Sequence, residues 1–216
     1  MSGADPHAEA AVLWRGAELI KARGVMIMLH GRGASAESIL RLVDEISYAG
    51  FAYAAPQAAA NTWYPLTFLS PRERNEPWLG SALAAVDRLY AQVVRAGLPA
   101  GRIMLLGFSQ GACLAAEYAI RHPRVYGGVF VLSGGLIGDE SELTGYETGL
   151  SHSPIFLGCS DVDPHIPKER VVRSAELLSE AGADVRTSLY PGLGHFIIPE
   201  EIETVRAAMS DVLGRA

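Results

Sequence analysis

Ile103-Met104-Leu105-Leu106-Gly107-Phe108-Ser109-Gln110-Gly111-Ala112-Cys113-Leu114-Ala115-Ala116-Glu117 is the stretch that decides how this chain folds. An apolar run, 103–106, stops at a glycine, and the run after Gly111 is rich in Ala and Leu, both strong helix formers. Between them lies Gly-x-Ser-x-Gly. A strand that passes into a helix through so few residues must turn so tightly that small residues are needed two before and two after the serine. The serine hydroxyl is then held up at the head of the helix, where free N–H groups and the helix dipole favour developing negative charge. In a chain this rich in Gly and Ser the five-residue pattern can arise by chance; its weight comes from the strand and helix on either side.

Working outward, the same alternation fills most of the chain. Short apolar runs at 25–29, 51–55, 128–132, 154–157 and 185–190 join 103–106 as expected strands. Most are continuously apolar, as strands buried on both faces should be. Helical periodicity is expected over 36–49, 79–96, 110–121, 168–181 and 200–213. Strand and helix in turn predict crossover-connected parallel strands rather than a sandwich or a bundle. Residues 12–23, which include Gly16, read as an edge hairpin or a short antiparallel strand, and residues 1–10 as a flexible tail. The longest stretch without clear periodicity is 57–78, where Trp63, Tyr64, Phe68, Leu69 and Trp78 stand among prolines. Irregular segments of that length in a compact domain are often functional loops, so it is a candidate substrate wall.

The chain of 216 residues suits one domain, 1–216, and is too short for two full-sized ones. Hydrophobic residues make up 49% and charged ones 19%, enough apolar material for a sizeable core. A net charge of −6 without a basic run argues against electrostatic binding to nucleic acid or an anionic membrane. The longest apolar runs fall far short of a membrane span, and the N-terminus lacks the pattern of a secretory signal. A cytoplasmic location is therefore expected. Cys113 and Cys159 are too few for a disulfide framework and lack metal-ligand spacing, so they read as packed thiols.

A serine hydroxyl is a poor nucleophile at neutral pH and needs a base that is itself oriented by a third group. His195 stands in Gly192-Leu193-Gly194-His195, after the last expected strand, and Ser160-Asp161-Val162-Asp163-Pro164 follows the strand at 154–157. Serine, aspartate and histidine thus occur in the chain order of an α/β-hydrolase. His30-Gly31-Arg32-Gly33, directly after the first buried strand, could aim a backbone N–H into the site. With the N–H of Gln110 it would make a two-donor oxyanion hole. Two aspartates compete for the acid: the spacing from Gly158 selects Asp161, and counting back from Pro167 selects Asp163.

These pieces resemble the carboxylesterase/phospholipase/acyl-protein thioesterase family of small serine α/β-hydrolases over nearly the full length. The matching segments are Leu29-His30-Gly31-Arg32-Gly33, Gly107-Phe108-Ser109-Gln110-Gly111, Asp163-Pro164-His165-Ile166-Pro167 and Gly192-Leu193-Gly194-His195. Four pieces in order are far more specific than one. The resemblance implies Ser109, Asp163 and His195 as a catalytic triad, the ungapped register over 154–167 selecting Asp163, with the amides of Arg32 and Gln110 as oxyanion donors. It places Trp63 and Tyr64 near the entrance as substrate-binding residues. His165 stands where an aliphatic residue is usual in the thioesterase branch, and could contact a polar substrate group. His30 would brace the oxyanion loop.

The expected molecule is thus a single-domain α/β-hydrolase: a mostly parallel central sheet with helices on both faces and no large cap domain. It would cleave carboxylic esters, as a carboxylesterase, lysophospholipase or acyl thioesterase, through an acyl-enzyme on Ser109. No metal or organic cofactor is called for, and the partner is a small-molecule ester or thioester, with the protein a monomer or homodimer. A dienelactone-hydrolase-like enzyme is the alternative, although it usually carries Cys at the nucleophile position. A non-catalytic binding protein of the same fold is the other.

Overall fold

The structure is a computed structural model and describes residues 5–214. Seven strands form one sheet in the order β1-β3-β2-β4-β5-β6-β7. They are β1 (Val12–Gly16), β2 (Gly24–Leu29), β3 (Phe51–Pro56), β4 (Ile103–Phe108), β5 (Gly128–Leu132), β6 (Pro154–Ser160) and β7 (Asp184–Tyr190). All neighbours are parallel except β1, which runs antiparallel along β3 as the edge strand. Residues 12–16 therefore take the second of the two expected forms, a short antiparallel strand.

The helices are α1 (Ala36–Leu40), α2 (Val43–Ile46), α3 (Trp78–Arg95), α4 (Gln110–Arg121), α5 (Lys168–Glu180) and α6 (Pro199–Gly214). Alternate side chains of each central strand enter two separate cores. Val25, Ile27 and Leu29 of β2 pack with residues of α3, α4 and α5, whereas Met26 and Met28 pack with residues of α1, α2 and α6. Burial on both faces is why β2 and β4 are nearly continuous apolar runs. The outer strand β7 is covered less: none of its residues is buried, and Asp184, Arg186, Thr187 and Leu189 are exposed.

Two expectations change. The helix expected over 36–49 is two short ones, broken near Arg41 and Leu42. Ile39, Leu40, Val43 and Ile46 are nonetheless all buried, so the apolar spacing is that of a helical face although the helical ladder is interrupted. The expected flexible tail is docked from residue 5 onward, and residues 1–4 lie outside the described part. His7 is only 1% exposed: its ring Nε2–H donates to Trp63 O (3.0 Å), its Nδ1 accepts from Ala59 N (3.1 Å) and its amide donates to Ser81 Oγ (2.7 Å). Polar backbone groups under a loop must be paired, and the tail pairs them. Between β5 and β6 the chain holds only a short 3₁₀ turn, Glu140–Glu142, so no helical cap covers the C-terminal ends of the strands among the described residues.

Candidate active site

Four loops meet at the C-terminal ends of the parallel strands, where open α/β sheets place their ligands. Ser109 follows β4 directly. Its backbone has φ 56° and ψ −120°, a conformation that side chains rarely adopt, and it is the N-cap of α4. The two glycines that frame it have a steric cause. A Cβ on Gly107 would lie 2.1 Å from Gly111 O, and one on Gly111 would lie 2.1 Å from Leu29 O. Any larger residue would thus drive the elbow apart or push α4 off β2.

His195, on the loop after β7, sits between two side chains. Its Nε2 is 2.8 Å from Ser109 Oγ and its Nδ1 is 2.7 Å from Asp163 Oδ2. A carboxylate can only accept, so Nδ1 carries the proton and the Nε2 lone pair faces the serine hydroxyl. Phe108 and His165 flank the imidazole, each with its ring centre 4.9 Å away. The Asp163 side chain is fully buried. Its Oδ1 accepts from the amides of His165 (2.8 Å) and Ile166 (3.1 Å), and the Cys159 thiol lies 3.8 Å from Oδ2. Burial pushes the Asp163 carboxyl up, but its hydrogen bonds to His195 and to the two amides outweigh that and hold it below the ordinary 3.8. Burial pushes the Cys159 thiol up to about 12, so it stays protonated and donates.

Asp161 is bonded differently: its Oδ1 accepts from Gly192 N (2.8 Å), which ties the acid loop to the loop that carries His195. Of the two competing aspartates, the one in contact with the imidazole is Asp163.

Opposite, the segment 30–33 backs onto the elbow, close enough that a Cβ on Gly31 would touch Ser109 Cβ at 3.4 Å. His30 is completely buried; Nδ1–H donates to Gly31 O (2.8 Å) and Nε2 accepts from Ala58 N (3.1 Å). Burial pushes its imidazole below the ordinary 6.5, more than the bond to Gly31 can restore. It is a strut of the loop, as its place in the sequence suggests. Arg32 and Gln110 both line the groove beside Ser109. Gln110 opens α4, so its N–H has no acceptor within the helix.

The groove has a volume of about 620 Å³. Its floor and walls include Tyr64, Phe68, Phe108, Cys113 and Ile166, with His165 near the mouth. Of the aromatic pair expected at the entrance both are buried; Tyr64 still borders the groove from beneath and Trp63 does not. Trp63 is fully buried between the rings of His7 and His30, and its indole N–H donates to His30 O (2.8 Å). A buried indole needs an acceptor, and the one it finds lies beneath the loop, away from the groove.

Several contributors carry no signal in the sequence. The Gln110 side chain braces the groove wall, accepting from Trp63 N (3.0 Å) and donating to Tyr64 O (2.7 Å). Asn75, fully buried, accepts from Leu66 N (2.8 Å) and donates to Thr67 O (3.2 Å). Among the described residues no group of three or more His, Cys, Asp or Glu side chains could hold a metal ion, and no helix is long and apolar enough to cross a membrane.

A doubly covered sheet with a strained serine at the tip of β4 and a histidine and aspartate delivered by later loops defines the α/β-hydrolase class. Within it, the chain belongs to the phospholipase/carboxylesterase family, whose sequence profile matches residues 17–213. The chain is 33% identical over 138 residues to an acyl-protein thioesterase 1 from Gibberella zeae, a match covering 62% of this chain and 59% of that protein. It is 26% identical over 204 residues to a probable carboxylesterase SOBER1-like from Arabidopsis thaliana, covering 84% and 76%. The crystal structure of a phospholipase/carboxylesterase from Dyadobacter fermentans superposes with a TM-score of 0.90 at 38% identity, covering 94% of this chain and 97% of that one.

Proposed function

We propose that the protein is a serine hydrolase that cleaves carboxylic esters, or thioesters by the same chemistry, through an acyl-enzyme on Ser109. The observation that carries this reading is the unbroken hydrogen-bonded series Ser109 Oγ, His195 Nε2, His195 Nδ1, Asp163 Oδ2 at the edge of an apolar groove.

His195 Nε2 takes the Ser109 hydroxyl proton as Oγ bonds to the acyl carbon. The carbonyl electron pair moves onto its oxygen, which accepts hydrogen bonds from the Arg32 and Gln110 amides. Each such donor is worth about 3–4 kcal/mol where one has been removed from a serine hydrolase. The tetrahedral intermediate then expels the leaving oxygen or sulfur, which takes the proton from Nε2. Water next gives a proton to His195 and attacks the acyl-enzyme; collapse of the second oxyanion frees the acid and returns the proton to Ser109. Asp163 remains ionised throughout, fixing the tautomer and stabilising the imidazolium. Tyr64 and His165 contact the substrate, His165 on the side where the leaving group departs. Two buried, unpaired thiols suit a reducing compartment. On this reading the protein acts in the cytoplasm, as a monomer or homodimer.

A fluorophosphonate probe, read by intact mass, tests the nucleophile. Wild type should gain one phosphonyl group and Ser109→Ala none. Folded wild type that stays unlabelled, or Ser109→Ala that labels equally, would overturn the proposal.

A further inference from the structure

The chain carries 24 acidic residues against 18 basic ones, yet among the described residues no Asp or Glu lines the groove. Asp163 lies behind His195 with its side chain fully buried and its oxygens partnered. The charged residue on the wall is Arg32, and its guanidinium is held unusually firmly for an exposed side chain. Nη1 donates to Thr62 Oγ1 (3.1 Å) and Pro65 O (2.9 Å), and Nη2 donates to Leu66 O (2.6 Å). All three acceptors are neutral, so among the described residues the positive charge has no carboxylate partner. Both Nη1 protons and one Nη2 proton are used. That leaves Nε–H and one Nη2–H without a partner among the described residues, two donors of a cationic group that suit a carboxylate. The side-chain ordering that such binding normally costs is already met by the loop 62–66.

We infer that the groove is built for an ester whose acyl part carries a carboxylate, such as a half-ester of a dicarboxylic acid, bound by the uncommitted donors of Arg32. This rests on the ester-hydrolase reading above. The acyl side is assigned by the two halves of the site. His195, with His165 against it, protonates the leaving group. Arg32 projects from the loop whose amide holds the carbonyl oxygen, so an anion that it binds lies a few carbons from that carbonyl. Apolar wall residues such as Phe68 and Ile166 would pack along the intervening methylenes.

The test compares mono-p-nitrophenyl glutarate with its neutral methyl ester in wild type, Arg32→Gln and Arg32→Lys. Each comparison is a ratio of kcat/KM within one enzyme, so any effect of the replacement on the oxyanion amide cancels. Wild type should prefer the anion by about tenfold, mostly through KM, as expected for a charge-assisted pair at a partly open site. The ratio should fall to about one in Arg32→Gln and be partly kept in Arg32→Lys, which supplies a point charge without the fork. Raising NaCl to about 0.5 M should narrow the wild-type ratio by screening. A wild-type ratio of one or less, or a ratio that survives in Arg32→Gln, would overturn the inference while leaving the hydrolase intact. Folded wild type that turns over neither ester would remove the hydrolase reading, and this inference with it.

Discussion

His30 and His195 stand on loops that leave the same end of the sheet, after β2 and β7, and approach Ser109 from two sides, but they are bonded in opposite ways. Both ring nitrogens of His30 are committed to backbone groups, and the ring is sealed from solvent. Those of His195 meet a carboxylate and a hydroxyl, and 17% of its side chain faces the groove. A histidine bonded to backbone on both sides holds a loop and has neither a free lone pair nor a free N–H for proton transfer. One bonded between an acid and a hydroxyl can take a proton and keep its orientation while charged. Identity of residue therefore says little about role, and the partners of each nitrogen say nearly all of it.

Replacing each histidine by alanine separates the two roles most widely. His195→Ala should lower kcat/KM by about 10⁴-fold or more, as loss of a triad member does, with little change in melting temperature. His30→Ala should instead cost about 2–3 kcal/mol of stability, because Gly31 O and Ala58 N lose a buried partner. Its turnover should fall by no more than about tenfold, through the oxyanion loop. Equal losses of activity at unchanged stability would break the distinction.

A finer probe is the pH dependence of stability. Burial holds the pKa of His30 below 6.5, so the unfolded chain takes up a proton there before the folded one does. Its contribution is present in full above 6.5 and is lost as pH falls through 6.5 toward the folded value. His7, buried likewise, has the same sign. Stability gained between pH 5 and pH 7 should thus be smaller in His30→Gln than in wild type, measured by urea denaturation at both pH values.

A further probe lies behind His195. Glu201, in the first turn of α6, accepts from Ile198 N (3.0 Å) and so anchors the end of the His195 loop. It packs where Gly158 has no side chain, and burial pushes its carboxyl from 4.5 up to about 7. A raised carboxyl has the opposite sign: its contribution is present below 4.5 and is lost as pH rises toward 7. Glu201→Gln should therefore gain melting temperature over wild type at pH 8 but not at pH 4.5. Only the difference between variant and wild type is diagnostic, since the histidines and Glu201 pull in opposite directions.

The sequence was legible where a local rule has a single physical solution. Gly107 and Gly111 flag the elbow because no Cβ fits at either, and the apolar runs of β2 and β4 flag strands covered on both faces. The Asp, Ser and His loops were legible through their order along the chain. What could not be read depends on contacts between distant segments. Trp63 looks like an entrance aromatic until His7, from what reads as a loose tail, is found beside it and His30 O takes its N–H. Local spacing points to both Asp161 and Asp163, and the family register to Asp163; what separates them in space is that Asp163 meets the imidazole while Asp161 is turned to Gly192 N. The Arg32 side chain is fixed by carbonyls some thirty residues away, Pro65 O and Leu66 O, and carbonyls have no sequence signature.

The most direct measurement is steady-state hydrolysis of p-nitrophenyl butyrate by wild type, Asp163→Asn and Asp161→Asn, each shown to be folded by circular dichroism. Asp163→Asn should lower kcat by about 10⁴-fold, because an amide cannot hold the tautomer that presents Nε2 to Ser109. Asp161→Asn should stay within about tenfold of wild type, since its Gly192 bond only steadies the loop. Full activity in Asp163→Asn, or a greater loss in Asp161→Asn, would contradict the assignment of Ser109, His195 and Asp163 as one working unit.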